Sequence, residues 1–131
     1  MRREFQLSEN DRDFLDRRER PWHAILSGQA RWVIIEDFLL PTGYNLATVT
    51  VALPLHPSYP DVQIDMAYFS PHLSRTDGKI IRALSSIRLD DKDWQQWSRH
   101  RVGNDAWRPG IDNIETHLWY VSVFLEFELT K

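Results

Sequence analysis

The chain has 131 residues, 42% hydrophobic and 27% charged, a balance that supports a packed core and argues against intrinsic disorder. Its lack of cysteine removes disulfides, thiolate metal sites, iron–sulfur clusters and every cysteine nucleophile. The formal net charge of −3, from 16 basic and 19 acidic residues, speaks against nucleic acid as a partner, which a basic surface or stripe would attract.

The N-terminal Met1-Arg2-Arg3-Glu4 runs into a charged stretch rather than the apolar segment of a secretory signal. No apolar run approaches a membrane span, so a cytoplasmic location without a membrane partner is expected. Residues 8–19 are predicted as a helix. Ser8 caps it by accepting from an amide of the first turn, Glu9 and Asp11 suit the positive end of its dipole, Phe14 and Leu15 form a narrow apolar edge, and Pro21 ends it. Arg17, Arg18 and Arg20 decorate its solvated side.

Four strands follow. Trp22–Leu26 and Arg31–Leu40 flank the hairpin-like Ser27-Gly28-Gln29. After the Pro41-Thr42-Gly43-Tyr44 turn, Leu46–Leu53 alternates, with Val49, Val51 and Leu53 on one face and Thr48, Thr50 and Ala52 on the other. Pro54, Pro57 and Pro60 interrupt the pattern. Val62–Phe69 alternates again, Val62, Ile64 and Met66 opposing Gln63 and Asp65. Pro71–Arg108 is read as irregular, with a turn at Asp77-Gly78, a short strand at Lys79–Leu84, and Trp94, Trp97 and Trp107 as core or loop anchors. A long helix opens at Pro109-Gly110 with Asp112 in its first turn. Ile111, Ile114, Leu118, Val121 and Leu125 line one face, and Trp119, Val123, Phe124 and Phe127 widen the apolar surface. The expectation is a single α+β domain over residues 1–131: a helix, a four-stranded antiparallel meander, an irregular crossing segment and a long C-terminal helix.

These landmarks resemble the ubiquitin-conjugating (UBC) fold. Leu39-Leu40-Pro41-Thr42-Gly43-Tyr44, then Leu55-His56-Pro57-Ser58-Tyr59-Pro60, are similar to that family's second-to-fourth-strand region, with Tyr59-Pro60 where the family has a Tyr-Pro turn. Trp107-Arg108-Pro109 resembles the Trp-Ser-Pro before the family's second helix. The Pro-Thr-Gly-Tyr turn, Ser98-Arg99-His100 and Thr116-His117-Leu118 resemble a divergent bacterial branch found with ubiquitin-like proteins, their activating enzymes and JAB-type peptidases. The resemblance implies a ubiquitin-like protein and a ubiquitin-like activating enzyme as partners, in a conjugation pathway.

Two departures stand out. Pro71-His72-Leu73 lacks the Asn of the family's His-Pro-Asn turn, and the thioester cysteine is missing. Counting to its place from Gly78-Lys79-Ile80 lands on Ile81; counting back from Trp107 lands on Arg99. Without a thiol, three options stand: a protein that only binds its partners, a carrier that holds its cargo as an oxyester on Ser or Thr, or a chain in which a natural cysteine has been replaced. An oxyester needs a hydroxyl beside a base. Ser98 lies two residues before His100, and Arg99 and Arg101 could stabilise an oxyanion. Asp112 could orient His100, although an Asp in a first helical turn also has a purely structural use. Ser85 and Ser86 are the competing hydroxyls, and His117 reads as a structural histidine. His23, His56, His72, His100 and His117 show no ligand spacing, and no phosphate loop or dinucleotide fingerprint occurs, so neither metal nor cofactor is expected. Three functions compete: a cysteine-less carrier of a ubiquitin-like C-terminus, a non-catalytic binding module of the same fold, and an unrelated α+β ligand-binding or toxin-immunity protein.

Overall fold

The computed structural model describes residues 2–131; Met1, where the sequence reading begins, lies outside the described residues. Helix α1 runs over Glu9–Arg17, with the Ser8 hydroxyl accepting from the Asp11 amide at 3.3 Å as the cap pattern requires. Leu15 is its fully buried contact with the core. Strands β1 (Trp22–Ser27) and β2 (Ala30–Leu39) form a hairpin closed by Gly28 and Gln29. Gly28 has φ 61, the first-position glycine that suits a two-residue loop to the strand twist. Strand β3 (Thr48–Leu55) pairs antiparallel with β2. Val49, Val51, Leu53 and Leu55 enter the main core, as the alternation predicts.

Three elements differ from what the sequence predicts. First, no strand begins at Val62: Met66 turns the backbone at φ 64, and β4 is only Ala67–Ser70. Second, the crossing segment is not irregular. It holds a hairpin of β5 (Leu84–Leu89) and β6 (Lys92–Trp97), while Lys79–Ala83 is not a strand. Its loop is Asp90-Asp91, both at positive φ (51 and 62). That conformation is ordinarily marked by Asn-Gly or Asp-Gly, so the turn carries no glycine to announce it. The expected four-stranded meander is therefore a six-stranded antiparallel sheet in the order β1-β2-β3-β4-β6-β5. Third, the last helix, α2, runs over Ile114–Glu128. Asn113 caps it in a reciprocal box with Thr116, so Asp112 precedes the helix and Ile111 is 59% exposed, off the core face.

Helices α1 and α2 cover one face of the sheet. Ile114, Leu118, Val121, Phe124 and Leu125 of α2 pack with Trp97, Phe69 and Tyr44. Trp97 stacks on Phe124 at 5.8 Å and meets Phe69 edge-on at 5.6 Å. Each such large side chain contributes about 1.5–3 kcal/mol on full burial. The other face curls on itself: Ile25 of β1, Trp32 and Ile34 of β2, Tyr68 of β4, and Leu89 and Trp94 of the β5–β6 hairpin form a second cluster. An Arg2–Asp90 ion pair at 2.6 Å ties the N-terminal segment to that hairpin's turn. Among the described residues no helix is long and apolar enough to cross a membrane.

Candidate functional site

The two sequence counts toward the missing nucleophile, which end on Ile81 and Arg99, fall on either side of the β5–β6 hairpin. Its base pairs Leu84 with Trp97. Just below, the Ser98 amide donates to the Ala83 carbonyl at 3.1 Å and Arg99 Nη2 donates to the Arg82 carbonyl at 3.0 Å. The chain leaves the sheet at 82–83 and returns to the same place at 98–99. Ile81 and Arg99 thus lie on the two chain segments that enter and leave the hairpin side by side. Ile81 is buried in the core cluster, so that position presents no reactive group.

Ser98, Arg99 and His100 form one wall of a groove of about 400 Å³; Tyr120, Val123, Phe124 and Phe127 of α2 form the other. Phe124 belongs to the core as well, while Val123 and Phe127 extend the apolar surface of α2 outward to solvent. His100 Nδ1 lies 3.1 Å from Asp65 Oδ1, and the His100 carbonyl accepts from the Tyr120 hydroxyl at 3.3 Å. The Ser98 hydroxyl makes no hydrogen bond to His100 among the described residues; only its backbone is engaged, through the Ala83 carbonyl and the Arg99 guanidinium. Arg99 lies across the Trp97 ring at 5.1 Å and pairs with Glu128 Oε1 at 3.0 Å. Glu128 is itself almost fully buried and also faces Arg75 at 3.6 Å. Arg99 is therefore held by a buried carboxylate before any ligand arrives.

Arg101 and Asp112 occupy a neighbouring cleft rather than this groove. The Arg101 side chain, 7% exposed, sits 5.0 Å from the centroids of both Trp107 and Tyr120. Its Nε donates to the Asp105 carbonyl at 2.8 Å. Asp112 accepts from the Arg108 amide at 2.7 Å and the Arg108 guanidinium at 3.2 Å. Burial disfavours its charged form, but the hydrogen bonds from Arg108 and Thr116 and the charge of Arg101 outweigh that and hold the carboxyl below its usual range. The carboxylate beside His100 is Asp65, not Asp112. Ser85 and Ser86 are exposed on the edge strand β5, with the Ser85 hydroxyl bonded to Gln96 at 3.0 Å.

The two landmarks of the resemblance meet. Trp107 Nε1 donates to the Pro60 carbonyl at 2.8 Å, and its ring packs 6.2 Å from Tyr59. The Tyr59 hydroxyl donates to Asp11 Oδ2 at 2.6 Å, and Asp11 Oδ1 accepts from the Ile114 amide at 3.3 Å. A buried acid of α1 thus ties the Tyr-Pro corner to the start of α2, and burial with Asp11 pushes the Tyr59 hydroxyl above its usual range. His117 is fully buried next to Trp107 and Tyr120. It donates from Nε2 to the Met66 carbonyl at 3.1 Å, and burial pushes its imidazole down to about 4. His117 does not line the groove. Asp65, Glu128 and the Tyr120 hydroxyl were not anticipated as parts of the site; their partners lie 20 to 35 residues away in sequence. Among the described residues no group of three or more His, Asp or Glu side chains could hold a metal ion.

The model of a family described as Prokaryotic E2 family E matches residues 7–128. No curated protein and no solved structure matches the chain.

Proposed function

The chain belongs to Prokaryotic E2 family E and is an E2-like component of a conjugation pathway; from that premise we propose that its groove cradles the extended C-terminal tail of a ubiquitin-like protein and that Ser98 accepts that tail as an oxyester. The observation that carries the reading is the convergence of both sequence counts at the base of the β5–β6 hairpin, beside a groove with a polar wall of Ser98, Arg99 and His100 facing an apolar wall on α2. In the proposed step the Ser98 oxygen attacks the carbonyl carbon of a tail already activated by a ubiquitin-like activating enzyme. The new C–O bond forms as the bond to the activating enzyme's thiolate, or to the adenylate, breaks. His100, oriented by Asp65 at 3.1 Å, takes the hydroxyl proton. A catalytic hydrogen bond that is open in the free protein closes when substrate aligns it, so Ser98 and His100 meet only in the loaded complex.

The test is incubation with the activating enzyme, ATP and the ubiquitin-like protein. An adduct that hydroxylamine removes and Ser98→Ala abolishes is expected; an adduct that survives Ser98→Ala moves the acceptor elsewhere. A second reading has its own support. The Ser98 hydroxyl is not bonded to His100, and Arg99 is engaged by Glu128, an arrangement that suits a non-catalytic module docking the same tail or its activating enzyme. A saturable complex with no covalent species under any condition would establish that reading and end the first.

A further inference from the structure

The loop at 78–83, which the resemblance makes the approach to a nucleophile, carries none. It buries Ile81 and turns Ile80 outward at 86% exposure, the most exposed large apolar side chain among the described residues. Ala83 closes the loop at φ 58, a conformation uncommon for non-glycine residues. Its carbonyl accepts from the Ser98 amide at 3.1 Å.

Ile80 lies in a cleft of about 400 Å³ lined by Arg75, Lys79, Arg82, Glu128 and Lys131. The acid in that lining is already consumed: Glu128 faces Arg75 at 3.6 Å and Arg99 at 3.0 Å from within the fold. Lys131 shares that carboxylate at 3.6 Å, and Arg75 also pairs with Asp77 at 2.7 Å, which leaves Lys79 and Arg82 as the cations without a carboxylate side chain of their own. Lys79 reaches only the Lys131 carbonyl at 3.2 Å. Arg82 lends its carbonyl to Arg99, and its exposed guanidinium makes no ion pair among the described residues. In a chain of net charge −3 this cleft carries more cations than acids, and Lys79 and Arg82 flank its solvent-facing isoleucine. Charge of one sign around an apolar centre selects a partner of opposite sign with its own apolar anchor.

We propose that this cleft docks an acidic peptide segment of a partner protein, with carboxylates at Lys79 and Arg82 and one aliphatic or aromatic side chain against Ile80. The cleft adjoins the Ser98 groove and shares Lys131 with it, but it uses neither Ser98 nor His100, and the proposal stands or falls independently of the ester reading.

The experiment is fluorescence anisotropy with a short fluorescein-labelled peptide in which glutamates flank a single leucine, set against the same peptide with glutamines in place of the glutamates. Expected are saturable binding of the acidic peptide, weakening as salt rises, and at least tenfold weaker binding of the glutamine peptide. Reversal of both cations, Lys79→Glu with Arg82→Glu, should weaken the acidic peptide roughly tenfold or more, and Ile80→Ser several-fold. Leu26→Ser, an exposed apolar residue at the far edge of the sheet, should leave binding unchanged. All of these side chains are exposed, so the variants are expected to fold, and circular dichroism checks that they do. No saturable binding, equal binding of the two peptides, or wild-type affinity in the double reversal would each overturn the proposal.

Discussion

Replacing His117 by glutamine should remove most of one acid-dependent loss of stability. The imidazole is fully buried, and burial, reinforced by the charge of Arg101, pushes its folded-state value from 6.5 down to about 4. Above pH 6.5 the residue is neutral in both states and adds no pH dependence. Between 6.5 and about 4 the unfolded chain binds a proton that the folded chain refuses, so stability falls as the pH drops. Below about 4 both states are protonated and the fall ends. Over that window the loss is about 3 kcal/mol. Glutamine keeps an N–H able to reach the Met66 carbonyl that His117 Nε2 holds at 3.1 Å, but it does not titrate. Urea unfolding followed by tryptophan fluorescence, at about pH 7.5 and about pH 4.5, reads both proteins. Carboxylates titrate in the same range, so the informative quantity is the difference between the two proteins. Wild type should lose about 2–3 kcal/mol more than His117→Gln on acidification. Parallel pH profiles would refute the claim that a buried neutral imidazole sets this dependence.

Other substitutions probe the scaffold that positions the groove. Trp107→Phe deletes the 2.8 Å hydrogen bond to the Pro60 carbonyl and should cost about 1 kcal/mol in urea unfolding. Glu128→Ala leaves Arg75 and Arg99 without their buried carboxylate; it should cost about 3 kcal/mol, and loss of tail binding should accompany it if Arg99 serves the groove. Gly43→Ala places a Cβ 2.9 Å from Leu129 Cδ1 at φ 130 and should lower stability by about 1–3 kcal/mol by thermal melting. His100→Gln and Asp65→Asn should each slow adduct formation without lowering the melting temperature measurably, because both side chains are exposed.

Much of the architecture was legible because it is local. The cap at Ser8, the alternation of Val49, Val51 and Leu53, the Gly28 hairpin and the Ile114, Leu118, Val121, Leu125 face are each written within a few residues, where backbone periodicity and capping chemistry act directly. The β5–β6 hairpin was not legible, because Asp90-Asp91 reaches positive φ without the glycine that marks such turns. The helix starts at Ile114 and not at Pro109-Gly110, because the capping box of Asn113 and Thr116 sets its first turn.

The neighbourhood of the candidate site divides in the same way. The chain alone determined which groups are available: no thiol, a Ser98-Arg99-His100 run, and the Tyr59-Pro60 and Trp107 landmarks. Only the tertiary structure decided their partners. It placed Asp65 rather than Asp112 beside His100, set Glu128 against Arg99, brought Trp107 onto Pro60 and turned Ile80 to solvent. Pairings between residues tens of positions apart follow from how the sheet and α2 pack, and no local pattern encodes that packing.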